Sequence, residues 1–297
     1  MKGKMSQRPS KWADQLYQKV VRVLEYFDHG RAAQHYRLGL QFFEDQRYPA
    51  ALNYFDKAIA VDPRYQAVYT MRGLTQARMG EVELARQDFS QAIKLNADES
   101  LNYLQRGICH LRLGLPELAQ QDLQIALSLE SNDPLIWGNL AAVHHQLGQD
   151  QLAIEEFHEA IVLDPQRADW YWGRAKAEQN MGAYQLAEVD LERAIFLDPE
   201  TAKYREARGV LYLWLEREDE ALGEFLFCTD LENATWLSDA AMAYFSAKGG
   251  HLDQALEKLT PCFPHLNEFP PILLTKLTRF PQIEIQISAF LGGRKSN

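Results

Sequence analysis

The sequence predicts an all-α fold, an α-solenoid of paired helices, and three observations lead to this prediction. First, an alanine recurs every 34 residues without one insertion or deletion, at Ala51, Ala85, Ala119, Ala153, Ala187, Ala221 and Ala255. Second, columns of small and large residues keep the same phase. Third, turn-forming residues divide each 34-residue unit into two helix-length stretches. A period of this length is typical of stacked helical units, each burying an apolar face against its neighbours.

The columns explain how such units would pack. Four residues after each alanine stands a large residue: Phe55, Phe89, Leu123, Phe157, Leu191, Phe225 and Leu259. Seven residues after it stands a small one: Ala58, Ala92, Ala126, Ala160, Ala194, Cys228 and Cys262. Twelve residues before it stands another: Gly39, Gly73, Gly107, Ala141, Ala175, Gly209 and Ala243. Because small residues let two helix backbones approach and large ones fill the space beside them, each layer is expected to alternate both sizes.

Two kinds of turn divide each unit. Glycines between the two small columns suit the left-handed conformation that ends a helix: Gly80, Gly114, Gly148, Gly182 and Gly250. Asp-Pro pairs mark the second turn, because proline halts one helix and opens the next: Asp62-Pro63, Asp164-Pro165 and Asp198-Pro199. Each unit is therefore predicted as a first helix, a tight turn, a second helix and another tight turn.

These residues resemble the tetratricopeptide-repeat family. In "WGNLAAVHHQLGQDQLAIEEFHEAIVLDP" (137–165), six positions match the family pattern: Trp137, Leu140, Ala153, Phe157, Ala160 and Pro165. The resemblance covers about seven repeats over 32–269 and implies a right-handed superhelix with a concave groove. The predicted repeats are 32–65, 66–99, 100–133, 134–167, 168–201, 202–235 and a degenerate seventh at 236–269. In that last repeat, Asp239 and Ser246 replace expected large residues.

The two ends are predicted to cap the solenoid. Residues 1–31 are expected to form a tail and an amphipathic capping helix, with apolar residues at helical spacing: Trp12, Leu16, Val20, Leu24 and Phe27. Docking of this helix on a membrane surface is the alternative. Residues 270–297 are expected to form a C-terminal capping segment and tail. Within them, "QIEIQI" alternates like a strand, so a short β-segment stays open beside a helix.

Composition limits the class of partner and the compartment. The net charge of −10 argues against nucleic-acid binding, which needs basic surface. No window is long and apolar enough for a transmembrane segment, and residues 1–21 lack the apolar region and small-residue cleavage site typical of a signal peptide. We therefore expect a cytoplasmic protein, with peripheral membrane association left open. Three cysteines are too few and too widely spaced for a disulfide framework or a zinc site.

No pattern in the sequence indicates catalysis. GxSxG, a glycine-rich phosphate loop and HExxH are all absent from the sequence. His110 and His144 occupy the same repeat position, where the family usually keeps a tyrosine, and are expected to pack rather than bind metal. We predict no enzyme, no catalytic residue, no metal site and no cofactor.

The resemblance implies that the first helices line the groove. The predicted partner-binding residues are Tyr36, Phe43, Leu74, Leu104, Ile108, Leu111, Trp172 and Lys176. In the run Trp170-Tyr171-Trp172, Tyr171 stands in the column of large packing aromatics. Trp172 is turned by about 100° toward the groove, and Trp170 the other way, toward a neighbouring repeat or solvent.

An arginine column crosses the repeats at Arg72, Arg106, Arg174 and Arg208. These side chains could bind an acidic strip. Pairing of their guanidinium groups with nearby Asp or Glu, with the aliphatic stems packed, is the favoured interpretation.

The function that these observations favour is a non-enzymatic scaffold or adaptor that binds a peptide or helix of a partner protein in the groove. An alternative is an assembly factor or chaperone for a membrane-associated complex, for example a photosynthetic or envelope complex, docked through a terminal helix. A peptide-sensing regulator is a third class, which normally couples such repeats to an effector domain. Partner identity, oligomeric state, pathway and occupancy of the groove by the chain's own ends stay open.

Overall fold

The computed structural model describes residues 30–229, 231 and 234–294, so the capping helix predicted at 11–28 lies outside the described residues. Within those residues the regular secondary structure is entirely helical. Residues 30–44 are helical and are called α1. The following helices are α2 (Tyr48–Val61), α3 (Gln66–Arg78), α4 (Val82–Leu95), α5 (Ser100–Arg112), α6 (Pro116–Leu129), α7 (Pro134–Gln146) and α8 (Asp150–Leu163). They continue as α9 (Ala168–Asn180), α10 (Tyr184–Leu197), α11 (Ala202–Trp214), α12 (Glu218–Thr229), α13 (Trp236–Lys248), α14 (Leu252–Leu259), a 3₁₀ helix (Thr260–Glu268), α15 (Pro271–Leu277) and α16 (Pro281–Arg294).

The chain divides into two compact units, residues 1–143 and 144–297, with the division inside α7. In the first unit, α3 packs on α4 and α5 on α6, while α4 also packs on α5. In the second unit, α9 packs on α10, α11 on α12 and α13 on α14, and each pair packs on the next. This stacking of consecutive helix pairs is the all-α solenoid architecture that the sequence predicts.

Glycines allow the two helices of a pair to approach. A methyl group placed on Gly39 would lie 2.5 Å from Cε1 of Phe55, and one on Gly209 would lie 2.7 Å from Cζ of Phe225. The alanines of the 34-residue column, from Ala51 to Ala255, are completely buried. The predicted alternation of small and large residues is thus confirmed at these contacts.

The first turn of the helix pairs repeats one backbone conformation. All five glycines expected there have positive φ, from +73° at Gly114 and Gly148 to +86° at Gly250. Gln46 and Glu216 stand at the same repeat position in two units that lack the glycine, and both have φ of 59°. Side chains other than glycine rarely adopt this conformation because Cβ crowds the following carbonyl. Packing of the two helices therefore imposes the turn even where the sequence does not favour it.

The arginine column forms ion pairs within the helix pairs, as the favoured interpretation expects. Each arginine reaches the carboxylate 16 residues later, from the first helix to the second: Arg72 to Asp88, Arg106 to Asp122, Arg174 to Asp190 and Arg208 to Glu224. The three aspartate pairs each have two N–H···O bonds, at 2.6–2.8 Å. These carboxylates are buried, so the arginines neutralise charges that could not otherwise be hydrated.

In the fourth helix pair, α7 and α8, a histidine takes over the role that the arginine has in the other pairs. Leu140 stands in the arginine column there, while Glu156 stands in the carboxylate column. Nδ1 of His144 lies 2.6 Å from Oε2 of Glu156. His110, one repeat earlier, has Nδ1 3.1 Å from Oδ2 of Asp122. Both histidines are buried and face a carboxylate of the following helix, which gives them a packing role.

The C-terminal segment folds onto the second unit. α15 packs on α11 and α13, which are both first helices of their pairs. Leu273, Leu277 and Ile283 are fully buried in one apolar cluster with Leu213 of α11. The stretch "QIEIQI" lies in α16 and is helical: Ile283 and Ile287, four residues apart, are buried in the core, while Ile285 is exposed. The chain's own C-terminal segment therefore covers part of the first-helix surface in this unit.

Candidate peptide-binding surface

A polar and aromatic face runs along α9 in the second unit. Asp169, Trp172, Lys176 and Gln179 are spaced three or four residues apart and share one side of this helix. The next first helix, α11, places Lys203 beside them, at the same repeat position as Asp169. We call these five residues the Trp172 surface. Residues at the same position in successive repeats lie side by side, so Asp169 and Lys203 bring opposite charges together.

Trp172 is the centre of this surface. The Nζ atoms of Lys176 and Lys203 each lie 4.8 Å from the centroid of its ring. The Tyr204 ring meets it edge-on, with the centroids 6.3 Å apart. An ammonium group is attracted to the negative face of an indole ring, so both lysines are held close to Trp172 although they repel each other.

One of the two lysines is neutralised by a carboxylate. Nζ of Lys203 donates to Oδ1 of Asp169 at 2.6 Å, and the Tyr204 hydroxyl donates to the same oxygen at 3.0 Å. Burial alone would raise the pKa of Asp169, but the hydrogen bond and charge of Lys203 outweigh it, and the pKa falls below its ordinary value. Burial, followed by the charge of Asp169, raises the pKa of the Tyr204 hydroxyl.

The other lysine has no such partner. In the part of the chain that the structure describes, no carboxylate lies within ion-pair distance of Lys176. Burial and the charge of Lys203 both disfavour its ammonium form and lower its pKa. One turn further along α9, the buried Nε2 of Gln179 has no hydrogen-bond acceptor among the described residues. The Trp172 surface thus combines an ammonium group without a carboxylate partner, a buried amide donor without an acceptor and an aromatic ring.

These features define what the surface can do chemically. A buried donor without an acceptor costs free energy of about 1–3 kcal/mol, and a ligand carboxylate or carbonyl would recover part of it. An apolar ligand group could pack on the accessible part of Trp172, where aromatic side chains commonly anchor partners. The arrangement suits binding and orientation of a peptide.

The other predicted binding residues lie in the first unit, where they pack mainly against apolar side chains. The Tyr36 ring contacts those of Phe55 and Tyr65, and burial raises the pKa of its hydroxyl. Phe43 packs against Tyr48, with ring centroids 5.7 Å apart. Leu74 packs against the cluster that contains Phe89.

Leu104, Ile108 and Leu111 lie along α5 in the same unit. Leu104 is only 1% exposed, so it belongs to the core rather than to an open surface. Ile108 and Leu111 are half-buried. The first unit therefore offers a shallow apolar face, although the buried Nδ2 of Asn102 in α5 also has no acceptor among the described residues.

The three neighbouring rings in α9 are arranged differently from the expectation. Trp170 is buried, with the Arg167 guanidinium 4.7 Å from its ring centroid. Tyr171 is half-exposed, and its hydroxyl donates to the carbonyl of Pro165 at 3.1 Å. Tyr69 makes the equivalent bond to Pro63. The aromatic column thus holds the turn before the helix, while Trp170 supplies the deeper packing.

Other side chains capable of chemistry are not assembled into a reactive site. All three cysteines are buried, and desolvation raises the pKa of each thiol to about 11. Across residues 30–229, 231 and 234–294, no group of three or more His, Cys, Asp and Glu side chains is arranged to hold a metal ion. None of the helices in these ranges combines the length and hydrophobicity needed to cross a membrane.

Comparison with known proteins identifies the repeats. A family model described as tetratricopeptide repeat matches residues 36–100 and 104–168. No protein with a curated description matches the sequence. Among solved structures, a tetratricopeptide repeat protein from Parabacteroides merdae is 15% identical and superposes with a TM-score of 0.68, covering 88% of this chain and 98% of that one.

Two further structures show the same architecture. PilF of Pseudomonas aeruginosa is 17% identical, with a TM-score of 0.62 over 73% of this chain and 98% of that one. The APC/C hetero-tetramer Cut9–Hcn1 gives 23% identity and a TM-score of 0.60, over 76% of this chain and 43% of that one. These likenesses establish the fold. The family model therefore identifies tetratricopeptide repeats at residues 36–100 and 104–168, and the structural likenesses show that the chain shares the all-α solenoid fold of such proteins.

Proposed function

We propose that this protein is a non-enzymatic scaffold that binds a peptide or helix of a partner protein on the first-helix face of its second unit. The observation that carries the proposal is the Trp172 surface, where Lys176 and Gln179 have donors without acceptors beside a partly exposed indole ring. The arginine column, by contrast, is paired with carboxylates within the helix pairs.

The charges around Trp172 indicate the kind of peptide. Two ammonium groups face the ring, and Asp169 neutralises only one of them. A ligand with an acidic or carbonyl group next to an apolar side chain would satisfy Lys176 and cover Trp172 together. Because these contacts lie in a partly desolvated site, we expect them to determine affinity rather than only association rate.

The proposal is tested by affinity capture with the full chain, followed by quantitative mass spectrometry. Trp172→Ala and Lys176→Gln are each expected to reduce recovery of the same partner by about tenfold, the effect of losing about 1.4 kcal/mol. Lys57→Gln is the matched control, since Lys57 also lies over an aromatic ring, that of Tyr54, but in the first unit. Unchanged recovery with both Trp172→Ala and Lys176→Gln would rule out this surface.

Docking on a membrane complex through the C-terminal tail receives less support. Leu273, Leu277, Ile283 and Ile287 are buried in the core of the second unit, so these residues are already occupied by packing. The N-terminal helix that the alternative also invoked lies outside the described residues. The peptide-binding scaffold is therefore the function that we propose.

A further inference from the structure

A cavity of about 640 Å³ lies where α15 meets the ends of α11 and α13 in the second unit. Its wall contains the apolar side chains of Leu213, Trp214 and Ile272. Six charged residues complete the lining: Glu216, Glu218, Asp219, Lys248, Lys276 and Arg279. The volume is within the range of known small-ligand and peptide-side-chain sites. This cavity is separate from the Trp172 surface and shares no residue with it.

The floor of the cavity is a fixed polar cluster centred on Glu218. Its carboxylate accepts hydrogen bonds from Lys248, from Lys276 and, at 2.8 Å, from the Tyr244 hydroxyl. Although burial acts to raise the pKa of Glu218, these donors lower it to about 2. Lys276 is only 4% exposed, so its side of the cluster is shielded from water. Two ammonium groups sharing one carboxylate leave this cluster with a net positive charge, while the cavity lining as a whole has three acidic and three basic residues.

Further positive charge faces the cavity without being neutralised. Arg279 is exposed, and among the described residues no carboxylate lies within ion-pair distance of its guanidinium. Lys248 has a half-exposed side chain and donates one of its three hydrogens to Glu218. A guanidinium and an ammonium with free donors are therefore available to a ligand oxygen.

An apolar surface stands beside these donors. Trp214, the last residue of α11, is 45% exposed although it is among the largest apolar side chains of the chain. The exposed indole ring and the free cations thus occur at one cavity.

We propose that this cavity is a second binding site, for a peptide carboxylate carried next to an apolar side chain. The carboxylate would bind Arg279 and Lys248, and the apolar side chain would pack on Trp214 and Ile272. Glu216 and Asp219 also line the cavity, and their charges disfavour a ligand with more than one negative charge, such as a phosphate dianion. The carboxylate could belong to an acidic side chain or to a chain terminus.

Isothermal titration of the full chain with four probes tests this proposal. The probes are N-acetyl-Leu-Phe with a free carboxylate, the same dipeptide as its amide, N-acetyl-Glu-Phe amide and inorganic phosphate. At least one carboxylate peptide is expected to bind about tenfold more tightly than the Leu-Phe amide, since a charge-assisted hydrogen bond is lost in the amide. Tighter binding of N-acetyl-Leu-Phe would assign the carboxylate to a chain terminus. Tighter binding of N-acetyl-Glu-Phe amide would assign it to an acidic side chain. Phosphate binding at equal strength would overturn the proposal.

Arg279→Gln is the variant that locates the site. The side chain is exposed and makes no ion pair with the described residues, so its loss is expected to leave the thermal midpoint unchanged and to weaken carboxylate binding about tenfold. Arg78→Gln, at an exposed arginine of α3, is the matched control and is expected to bind like the parent protein. Equal binding by Arg279→Gln and the parent, or no measurable binding of either carboxylate peptide, would overturn the proposal. The titration does not depend on the capture experiment: if Trp172→Ala and Lys176→Gln kept their partner, the binding of carboxylate peptides at this cavity would still be tested.

Discussion

Arg174 and Asp190 form a fork of two hydrogen bonds, with Nε to Oδ2 at 2.7 Å and Nη2 to Oδ1 at 2.8 Å, between the two helices of one pair. Asp190 is buried, so removal of the arginine would leave a carboxylate in a poorly hydrated site. We expect Arg174→Met to lower the free energy of unfolding by about 2–3 kcal/mol. Urea denaturation followed by circular dichroism measures this change.

Arg86→Met is the matched control for this prediction. Arg86 makes a similar fork with Glu83, but that pair lies one helical turn apart on an exposed surface. Exposed pairs of this kind contribute about 0.5 kcal/mol or less. Equal losses of stability in Arg174→Met and Arg86→Met would show that burial of the Asp190 carboxylate is not the source of the effect.

Gly173 lies against Phe157, which belongs to the preceding helix pair. A methyl group on Gly173 would lie 2.3 Å from Cζ of Phe157, far inside van der Waals contact. The aromatic ring is itself buried and cannot move away freely. We expect Gly173→Ala to lower the thermal midpoint, with a loss of stability of about 1–3 kcal/mol from overpacking.

Gly223 offers the matched comparison. It lies inside α12, is exposed, and has open space where a methyl group would be placed. Gly223→Ala is expected to stabilise the protein by about 0.5–1 kcal/mol, because alanine favours a helix interior. Opposite signs for the two substitutions in the same thermal scan would confirm that contact with Phe157, rather than helix propensity, governs position 173.

Gln46 has positive φ at a turn where other units have glycine. Its side chain is exposed, so replacement should disturb no packing. Relief of the backbone strain, about 1–2 kcal/mol, exceeds the entropy that glycine loses on folding, about 0.5–1 kcal/mol. We therefore expect Gln46→Gly to raise the free energy of unfolding by about 0.5–1 kcal/mol, as measured in urea. A decrease would mean that the turn at 46 is not strained.

The fold could be predicted from the sequence because the 34-residue columns consist of the residues that make the helix contacts. Gly39 and Phe55 belong to two columns, and the structure places them in contact. The arginine pairs follow the same logic, since a carboxylate stands 16 residues after Arg72, Arg106, Arg174 and Arg208. Periodicity predicts these contacts because each one recurs at the same position in several helix pairs.

Features that depend on a single long-range contact could not be predicted in this way. Leu213 is buried by Leu273 and Leu277, which belong to no repeat column, and Lys276 reaches Glu218 across 58 residues.

Trp170 and Tyr171 show a second limit of prediction from the sequence. Helical angles give the direction of each ring around α9, but which direction is buried depends on the packing of the adjacent elements. Lys203 could have been added to the Trp172 surface, because it has the opposite charge to Asp169 at the same repeat position.

Glu178 should make the stability of the second unit depend on pH. Burial, followed by the charge of Asp190, raises the pKa of Glu178 from 4.5 to about 7, and its Oε2 has no hydrogen-bond donor among the described residues. Because this pKa is higher in the folded chain than in the unfolded one, the protonated carboxyl stabilises the fold below pH 4.5. This contribution is lost as the pH rises from 4.5 to about 7.

Glu178→Gln removes the titration while keeping the shape of the side chain. We expect the variant to be more stable than the parent at pH 8, on the order of 1–2 kcal/mol, and nearly equal to it at pH 4.5. Urea midpoints at the two pH values measure the difference. Glu159→Gln, at an exposed glutamate of α8, is the control. It should change the stability only slightly, and by the same amount at both pH values. If Glu178→Gln changed stability by the same amount at both pH values, the carboxyl would not be titrating in this window, because a charge that is present throughout contributes equally at each.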